Sequence, residues 1–381
     1  MMKLRATRCL IAALLFVPGT ALAVAVTGAR APEAKAVRMA EFILGMQDAN
    51  GAIPDEPGGG HVNEDSNMEY ALIALGAAYE RTGEAEYLTG LEKGIRWLAL
   101  REEMADPKWK GSWRYAYLSE APYDPIPTSQ GPGVTDVRGV DATSALFVYL
   151  IYLHRQLSGS DALATSLAPN AKAALDFTLA NNRAADGFFW SSWHLRDGVW
   201  RLWKFQYAAD QGDVYLGLRA GSLLYGTAIY TSAANFLEAN IPTVFFDERW
   251  GRYGLGRDRS GSLDPALEHF NGIFPQGYLP WIFGDSAQNR AAYSWLRTGI
   301  NGDGSVSFEG GPAYSLSAAM VGMAASALGK AAPARVLRWL TTVPFDRADG
   351  GVRDTADSRT PEYTNVVAFS AVSLLGFTPF V

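Results

Sequence analysis

Residues 184–226 read AADGFFWSSWHLRDGVWRLWKFQYAADQGDVYLGLRAGSLLYG. The stretch joins an Asp-Gly turn, a run of aromatic residues, an acidic pair at Asp210 and Asp213, and a small apolar segment without proline. A segment of that last kind is typical of a buried helix. The same order of features recurs along the chain.

A glycine turn followed by aromatic or extended residues occurs at six places, roughly 45 to 75 residues apart, and spacings of this size indicate repeated supersecondary units. The glycines of these turns are Gly51, Gly111, Gly187, Gly251, Gly304 and Gly350.

Each turn leads into a segment rich in Ala, Gly, Ser and Leu. These segments lie near 66–81, 141–158, 213–226, 265–283, 312–329 and 361–376. More amphipathic segments alternate with them, near 85–101, 161–182, 227–240, 285–298 and 332–341, and the sixth partner is the N-terminal segment 32–47. We therefore predict an all-α (α/α)6 toroid of six inner and six outer helices, closed by the N-terminal helix packing on the C-terminal segment.

The first residues carry three basic side chains, then a short apolar run from Leu10 to Val17, then Ala21-Leu22-Ala23. This pattern predicts an export signal over residues 1–23, with 24–381 forming one domain. The apolar run is too short to span a bilayer. Cys9 is the only cysteine and would leave with the signal. We expect a periplasmic or secreted protein.

The chain carries a formal net charge of −6 and lacks blocks of Lys and Arg. It is therefore a poor candidate for binding nucleic acid or an anionic membrane surface. Neither a His-x-x-x-His pair nor a DxDxDG loop is present, so we predict no metal, and no other cofactor is indicated.

Acidic residues that precede the inner helices are the candidates for catalysis. When inner and outer helices alternate in a ring, the inner helices run parallel and their N-termini share one face. The loops before them then surround one mouth. The candidate catalytic residues at this mouth are Glu64, Asp65, Asp141, Asp210, Asp213 and Glu268.

Helix capping explains some of the polar residues at these positions. Ser66 with Glu69 fits a capping box, and Asp141 and Asp213 suit N-caps. Capping gives no role to Asp210, nor to one of the two neighbours Glu64 and Asp65.

Aromatic residues in the same loops are candidates for substrate binding. Burial in the core is the default fate of a tryptophan, but four tryptophans within one short loop are hard to bury together. The candidates for substrate binding are Trp113, Trp190, Trp193, Trp203, Tyr207, His269 and Tyr278.

With this repeat count, inner-helix composition and closure, the chain resembles the six-hairpin (α/α)6-barrel superfamily of glycosidases and related polysaccharide lyases. The resemblance covers the whole chain after the signal and implies an acidic, aromatic-lined cleft that binds a sugar chain and cleaves it, commonly with inversion. Inverting hydrolysis needs one carboxylic acid and one carboxylate. The acid is assigned to Glu64 or Asp65 and the base to Asp210 or Asp213, with Asp141, Glu268 and Glu309 as further candidates for the base.

Three other functions stay open on this fold. A polysaccharide lyase would use a base such as His61, His194 or His269, with Tyr207, Tyr278 or Arg219 nearby. A non-catalytic glycan-binding protein would keep the aromatic residues and lose the need for two acids. A terpenoid-cyclase-like protein is suggested only by a faint Gln-x-x-x-Gly pattern at residues 47–53, and the Asp-x-Asp-Asp motif of that class is absent.

Overall fold

The computed structural model of the protein describes residues 30–267, 272–346, 348–357 and 359–380. The predicted export signal, Glu268 and His269 lie outside the described residues. Within them, no helix is both long enough and apolar enough to cross a membrane.

Six inner helices form the centre of the molecule. They are α2 (Asn67–Thr82), α4 (Asp141–Ser158), α7 (Ala208–Tyr225), α9 (Phe274–Phe283), α11 (Ser315–Ala327) and α13 (Thr364–Leu375). Each contacts the next, and α13 contacts α2, so the ring closes. The interior is apolar: Leu72, Leu146 and Val321 on three of these helices are fully buried. The toroid predicted from the repeats is confirmed.

The outer helices surround this ring. They are α1 (Arg30–Met46), α3 (Ala85–Arg101), α5 (Ala162–Ser166) with α6 (Ala168–Phe177), α8 (Ala228–Val244), α10 (Ala287–Thr298) and α12 (Ala334–Leu340). The third outer element, α5 with α6, continues as one π-helical turn over Thr178–Asn182. As predicted, α1 packs on the C-terminal inner helix α13.

Small residues let the inner helices approach closely. A Cβ atom added to Gly217 in α7 would lie 2.3 Å from the carbonyl oxygen of Ala145 in α4. One added to Gly277 in α9 would lie 2.5 Å from the backbone of Met320 in α11. Because these neighbours are main-chain atoms, no side-chain rotation could relieve such a clash. The Gly- and Ala-rich composition of the inner segments is therefore a packing requirement of the ring.

The repeated glycine turns dock the loops onto the outer helices. Gly111 and Gly304 have φ angles of +90° and +96°, and a Cβ atom there would lie 2.0 Å and 2.1 Å from the carbonyl oxygens of Ala173 in α6 and Arg335 in α12. Gly251 differs, since its φ is +63° and nothing lies within 4 Å of an added Cβ atom. Gly51 and Gly350 resemble the first two, since an added Cβ atom would lie 2.4 Å from the carbonyl oxygens of Lys93 and Arg38. At Gly187 the nearest atoms would belong to the Phe236 ring, at 2.6 Å.

Two inner helices differ from their predicted bounds. The third starts at Ala208, earlier than predicted, so Asp210 and Asp213 lie inside its first two turns and Asp213 is not its N-cap. The fourth starts only at Phe274, because Gly272 and Pro275 disfavour a helix through the preceding residues.

Short antiparallel strands cover the mouth. The largest sheet has three strands in the order β3 (Val134–Arg138), β4 (Ser192–Arg196) and β5 (Val199–Trp203). The smaller pairs are β1 (His61–Val62) with β2 (Tyr117–Leu118), β6 (Phe205–Tyr207) with β9 (Gly256–Asp258), and β7 (Phe246–Asp247) with β8 (Arg252–Tyr253). The aromatic run after Gly187 thus forms a hairpin, which the helix-based reading of the chain did not predict.

The docking role of the turns gives a stability prediction. Gly304→Ala should destabilise the protein by about 3 kcal/mol, since it combines an unfavourable φ with a main-chain clash. Gly251→Ala is the matched control and should cost only about 1 kcal/mol for its left-handed conformation. Urea denaturation midpoints measure both effects. Equal midpoints for the two variants would contradict the docking role of the turn.

Candidate active site

A cleft opens where the N-termini of α2, α4, α7 and α13 meet. Its main cavity has a volume of about 340 Å³ and joins a second cavity of about 260 Å³ through Asp65 and Tyr115, which line both. A third, of about 170 Å³, continues past Glu64 and Tyr363. The structure therefore brings together loops that precede several different inner helices.

The segment before α2 has an unusual backbone. Asn63, Asp65 and Ser66 all have left-handed φ angles, of 61°, 50° and 69°. Such conformations cost free energy in residues other than glycine and cluster at functional sites. The predicted capping box is wrong, since Ser66 makes no cap and its hydroxyl instead contacts that of Thr143 at 2.8 Å. The Asn63 side chain accepts from the Met68 amide.

Two of the candidate acids line the main cavity. Asp65 comes from the strained segment before α2 and is exposed to the cavity, and Asp210 lies half-buried in the first turn of α7. Although its side chain faces the cavity, Asp65 is enclosed by protein and loses hydration there. This desolvation, and then the nearby Glu64 charge, raise the pKa of Asp65 to about 6. Burial and then the Asp65 charge raise the pKa of Asp210 well above its usual range, against a hydrogen bond with Ser191. The two carboxyls thus interact electrostatically inside one cavity.

Asp213 lies one helical turn from Asp210 but is fully buried. One of its carboxyl oxygens accepts a hydrogen bond from the Tyr70 hydroxyl at 3.0 Å, and the other accepts from Tyr278. Burial raises the pKa of Asp213 to about 8, and the two tyrosine donors partly oppose this rise. Asp213 therefore links three inner helices beneath the cavity and does not line it.

Asp141 is also buried completely, at the start of α4. The predicted N-cap role of Asp141 is wrong, because Asp141 is the first residue inside α4 and Val140 is the N-cap. One carboxyl oxygen accepts from the adjacent Ala142 amide at 3.0 Å. The other has no hydrogen-bond partner among the described residues. Burial, followed by the charges of Asp210 and Asp213, raises the pKa of Asp141 well above its usual range.

Glu64 lines the two smaller cavities and contacts His61 at 3.4 Å. It does not line the main cavity, so of the two adjacent acids only Asp65 lies beside Asp210. Glu309, a further candidate for the base, is separated from this pair, since it lies beside Arg252 in a different pocket.

The three-stranded sheet forms one wall of the main cavity. Ser192 and His194 on β4 and Trp203 on β5 line it, with Tyr207 just before α7. The rings of His194 and Trp203 stack, with centroids 5.1 Å apart and planes at 7°. Burial and then Arg196 lower the pKa of His194 to about 4, so this imidazole is neutral at physiological pH.

Four of the other predicted binding residues lie elsewhere. Trp113 is buried against Phe147, and its indole donates to the Leu98 carbonyl oxygen at 2.8 Å. Trp193 lies on the opposite side of β4 from His194 and contacts Trp109. Trp190 is half-buried and lines none of the three cavities of the cleft, and Tyr278 is buried on Asp213.

Several residues of the cleft were not singled out from the sequence. They are Tyr115, Gln130, Ser191, Ser192, Asn67, Tyr363 and Asn365. Asn67 and Asn365 start inner helices, and their position could have indicated a place at the mouth. Ser191 and Ser192 could have been found only by recognising that the aromatic run forms a hairpin.

One acidic group outside the cleft has a spacing that suits a cation. Oxygens of Asp346, Asp349 and Glu362 lie within 4.8 Å of one another, the one such cluster among the described residues. None of the three lines the cavities of the cleft.

The buried carboxyls predict how stability depends on pH. Burial raises the pKa of Glu69, which is fully buried, from 4.5 to about 8. The folded protein thus keeps a proton that the unfolded chain releases near pH 4.5. The contribution of Glu69 to the free energy of unfolding is therefore fully present below pH 4.5, and it is lost as the pH rises through about 8.

Glu69→Gln should therefore flatten the fall in stability between pH 5 and pH 8, by up to about 1.4 kcal/mol per pH unit. Unfolding midpoints in urea at several pH values measure this slope. The exposed Glu86→Gln is the control and should leave the slope unchanged. If Glu69→Gln also leaves it unchanged, Glu69 does not hold a proton in the folded state.

The sequence matches no established family profile and no curated protein. Solved structures nevertheless resemble the chain. A β-1,3-1,4-glucanase from Paenibacillus sp. X4 superposes with a TM-score of 0.63 and 12% identity over 92% of this chain and 94% of its own. A D-mannose isomerase gives 0.61 and 12%, covering 90% and 96%. A glycosidase gives 0.58 and 16%, covering 90% and 95%.

Identities this low carry information about the fold only. The likeness extends over at least 90% of this chain. The chain therefore has the (α/α)6-toroid fold of these solved structures.

Proposed function

We propose that this protein is a carbohydrate-active enzyme, and specifically a glycoside hydrolase that cleaves a poly- or oligosaccharide. The observation that carries the proposal is the pair Asp65 and Asp210, which come from different inner helices and line one cavity with Trp203 and Tyr207. A carboxyl pair beside aromatic rings is what acid/base cleavage of a bound sugar chain needs. The glycosidase and glucanase among the similar structures support the same class.

The order of the two pKa values suggests the division of roles. Asp65, with a pKa of about 6, is ionised at neutral pH, whereas the pKa of Asp210 is raised well above its usual range and favours the protonated form. Asp210 then donates its proton to the glycosidic oxygen as the bond from that oxygen to the anomeric carbon breaks. The Asp65 carboxylate takes a proton from water, whose oxygen attacks the anomeric carbon from the opposite face. The acid and base roles are thus the reverse of those assigned from the sequence, although the two groups still come from the same two loops.

The buried carboxyls beneath the cavity support this arrangement. Mutual repulsion among the carboxyls opposes ionisation of Asp210, chiefly through Asp65 and then Asp213, and it opposes ionisation of Asp141 as well. Burial of Asp141 with one carboxyl oxygen lacking a hydrogen-bond partner among the described residues costs stability, and a protein that only bound glycans would not need that cost. The cost favours an enzyme over a glycan receptor.

A polysaccharide lyase is the second candidate, because the neutral His194 and the hydroxyls of Tyr115 and Tyr207 border the same cavity. Tyr115 is a poor base, since burial and then Asp65 raise its pKa well above its usual range. A screen of the purified protein against polysaccharides separates the classes. New reducing ends alone indicate a hydrolase, and reducing ends with absorbance from unsaturated uronates indicate a lyase.

Export through residues 1–23 stays a prediction that N-terminal sequencing of the processed protein would check.

The carboxyl pair gives a direct kinetic prediction. Asp65→Asn and Asp210→Asn should each lower kcat by at least about two orders of magnitude, because each removes a proton-transfer group. Glu64→Gln is the matched control beside Asp65 and should lose less than about tenfold. Initial rates of reducing-end release on a substrate found in the screen measure all three. A larger loss in Glu64→Gln than in Asp65→Asn would move the catalytic role to Glu64.

The aromatic residues give a prediction that separates binding from folding. Trp203 is 37% exposed and Trp113 only 1%. Trp203→Ala should weaken oligosaccharide binding about tenfold or more, through the loss of a stacking surface, and change the thermal midpoint little. Trp113→Ala should instead lose about 3 to 5 kcal/mol of stability. Calorimetric titration and thermal unfolding measure the two effects, and a strongly destabilised Trp203→Ala would mean that Trp203 is a core residue.

A further inference from the structure

The sheet that walls the main cavity has one face turned toward it. Opposite residues of an antiparallel pair lie on the same face, and side chains alternate along each strand. Ser192 pairs with Trp203 and both line the cavity, and His194 pairs with Arg201. Arg196, two residues beyond His194, therefore also lies on this face. On this face Arg201 therefore lies level with His194, and Arg196 lies beyond it toward the tip of the hairpin.

The position of Arg196 is supported by its contacts. Its guanidinium lies over the Trp203 ring, 5.7 Å from the centroid, and the Trp203 ring in turn stacks on His194. Arg201 is exposed, as is Lys204 directly after the strand. The hairpin therefore carries three cations within nine residues of sequence, beside a cavity that contains two carboxyls, on a protein whose net charge is negative.

No carboxylate of the described residues lies within ion-pairing distance of Arg196, Arg201 or Lys204, although Asp197 occupies the tip of the same hairpin. Arginines elsewhere in the described part of the chain, such as Arg219 and Arg338, also lack such a partner. What distinguishes Arg196 and Arg201 is their place on the cavity face of the hairpin, where their charge can meet a ligand.

We propose that Arg196 and Arg201 bind the carboxylate of a uronic acid residue, so that the substrate of the proposed hydrolase is an acidic polysaccharide. The claim that the acidic polysaccharide is cleaved rests on the proposed function. The claim that Arg196 and Arg201 bind its carboxylate does not. A guanidinium presents paired N–H donors that match a carboxylate, and Trp203 between the arginines and His194 offers a face for the sugar ring.

The charge distribution explains why such a site would be needed. The cavity contains Asp65 and Asp210, so an anionic sugar entering it meets repulsion from any carboxylate that is ionised. Cations on the wall offset this repulsion and fix the carboxylate of the sugar away from the acids. A neutral sugar needs no such compensation, and the arginines would then have only water as a partner.

Binding can be tested before any substrate is known. Titration calorimetry would compare an oligogalacturonate, the same oligomer with its carboxyls reduced to alcohols, and a sulfated galactan oligosaccharide. We expect the wild-type protein to bind the oligogalacturonate at least about tenfold more tightly than the reduced oligomer, and less tightly at high salt. The double variant Arg196→Gln, Arg201→Gln should lose this preference and bind the reduced oligomer as the wild type does.

Arg338→Gln is the matched control, because it removes one exposed arginine from the outer helix α12. It should keep the preference, and thermal midpoints of all variants check that the hairpin is folded. Equal binding of charged and reduced oligomers, tighter binding of the sulfated oligosaccharide, or a preference that survives in the double variant would each overturn the inference.

Turnover separates this inference from the proposed function. Cleavage of neutral oligosaccharides without any preference for carboxylated ones would leave the hydrolase and remove the uronate site. Carboxylate-dependent binding that needs Arg196 and Arg201, with no cleavage of any oligosaccharide, would leave the uronate site and remove the hydrolase.

Discussion

Close main-chain contact between neighbouring inner helices is the constraint on which this structure depends. Gly217 against Ala145 and Gly277 against Met320 leave no room for a side chain, so the helices can approach until their backbones meet. Helices held this closely and running parallel bring their N-terminal residues within reach of one another. The carboxyl cluster of Asp65, Asp141, Asp210 and Asp213 is a consequence of that convergence.

The convergence also decides which acids are exposed. Asp210 and Asp213 are one turn apart on α7, but only Asp210 lies at the level of the cavity. Asp213 lies one turn deeper, where the hydroxyls of Tyr70 and Tyr278 reach it from two other inner helices. A difference of one helical turn therefore separates a group that can meet substrate from one that stabilises the arrangement of three helices.

Much of the fold could be predicted from the sequence, because glycine turns and small-residue helices are local patterns with a direct physical cause. Gly111 and Gly304 mark their turns since no other residue fits there. The site could be predicted only in part. The loops carrying Asp65 and Asp210 were identified from their position before inner helices, but Trp113 and Tyr278 were placed at the mouth although both are buried. Whether a tryptophan in a loop faces the core or the cleft depends on the strand register, as Trp193 and His194 on adjacent positions of β4 show. No count of aromatic residues contains that information.

The wall and the floor of the cleft belong to different parts of the structure. Asp210, Asp141 and Asp213 lie on the helices that close the ring, whereas His194, Arg196 and Trp203 lie on a hairpin inserted between an outer and an inner helix. A hairpin can change in length and composition without disturbing helix packing. Ligand preference and the carboxyl cluster can therefore diverge separately in descendants of this chain. Duplicated copies could acquire new ligands by altering residues 188–207, between the Gly187 turn and α7, while they inherit the carboxyls beneath them unaltered.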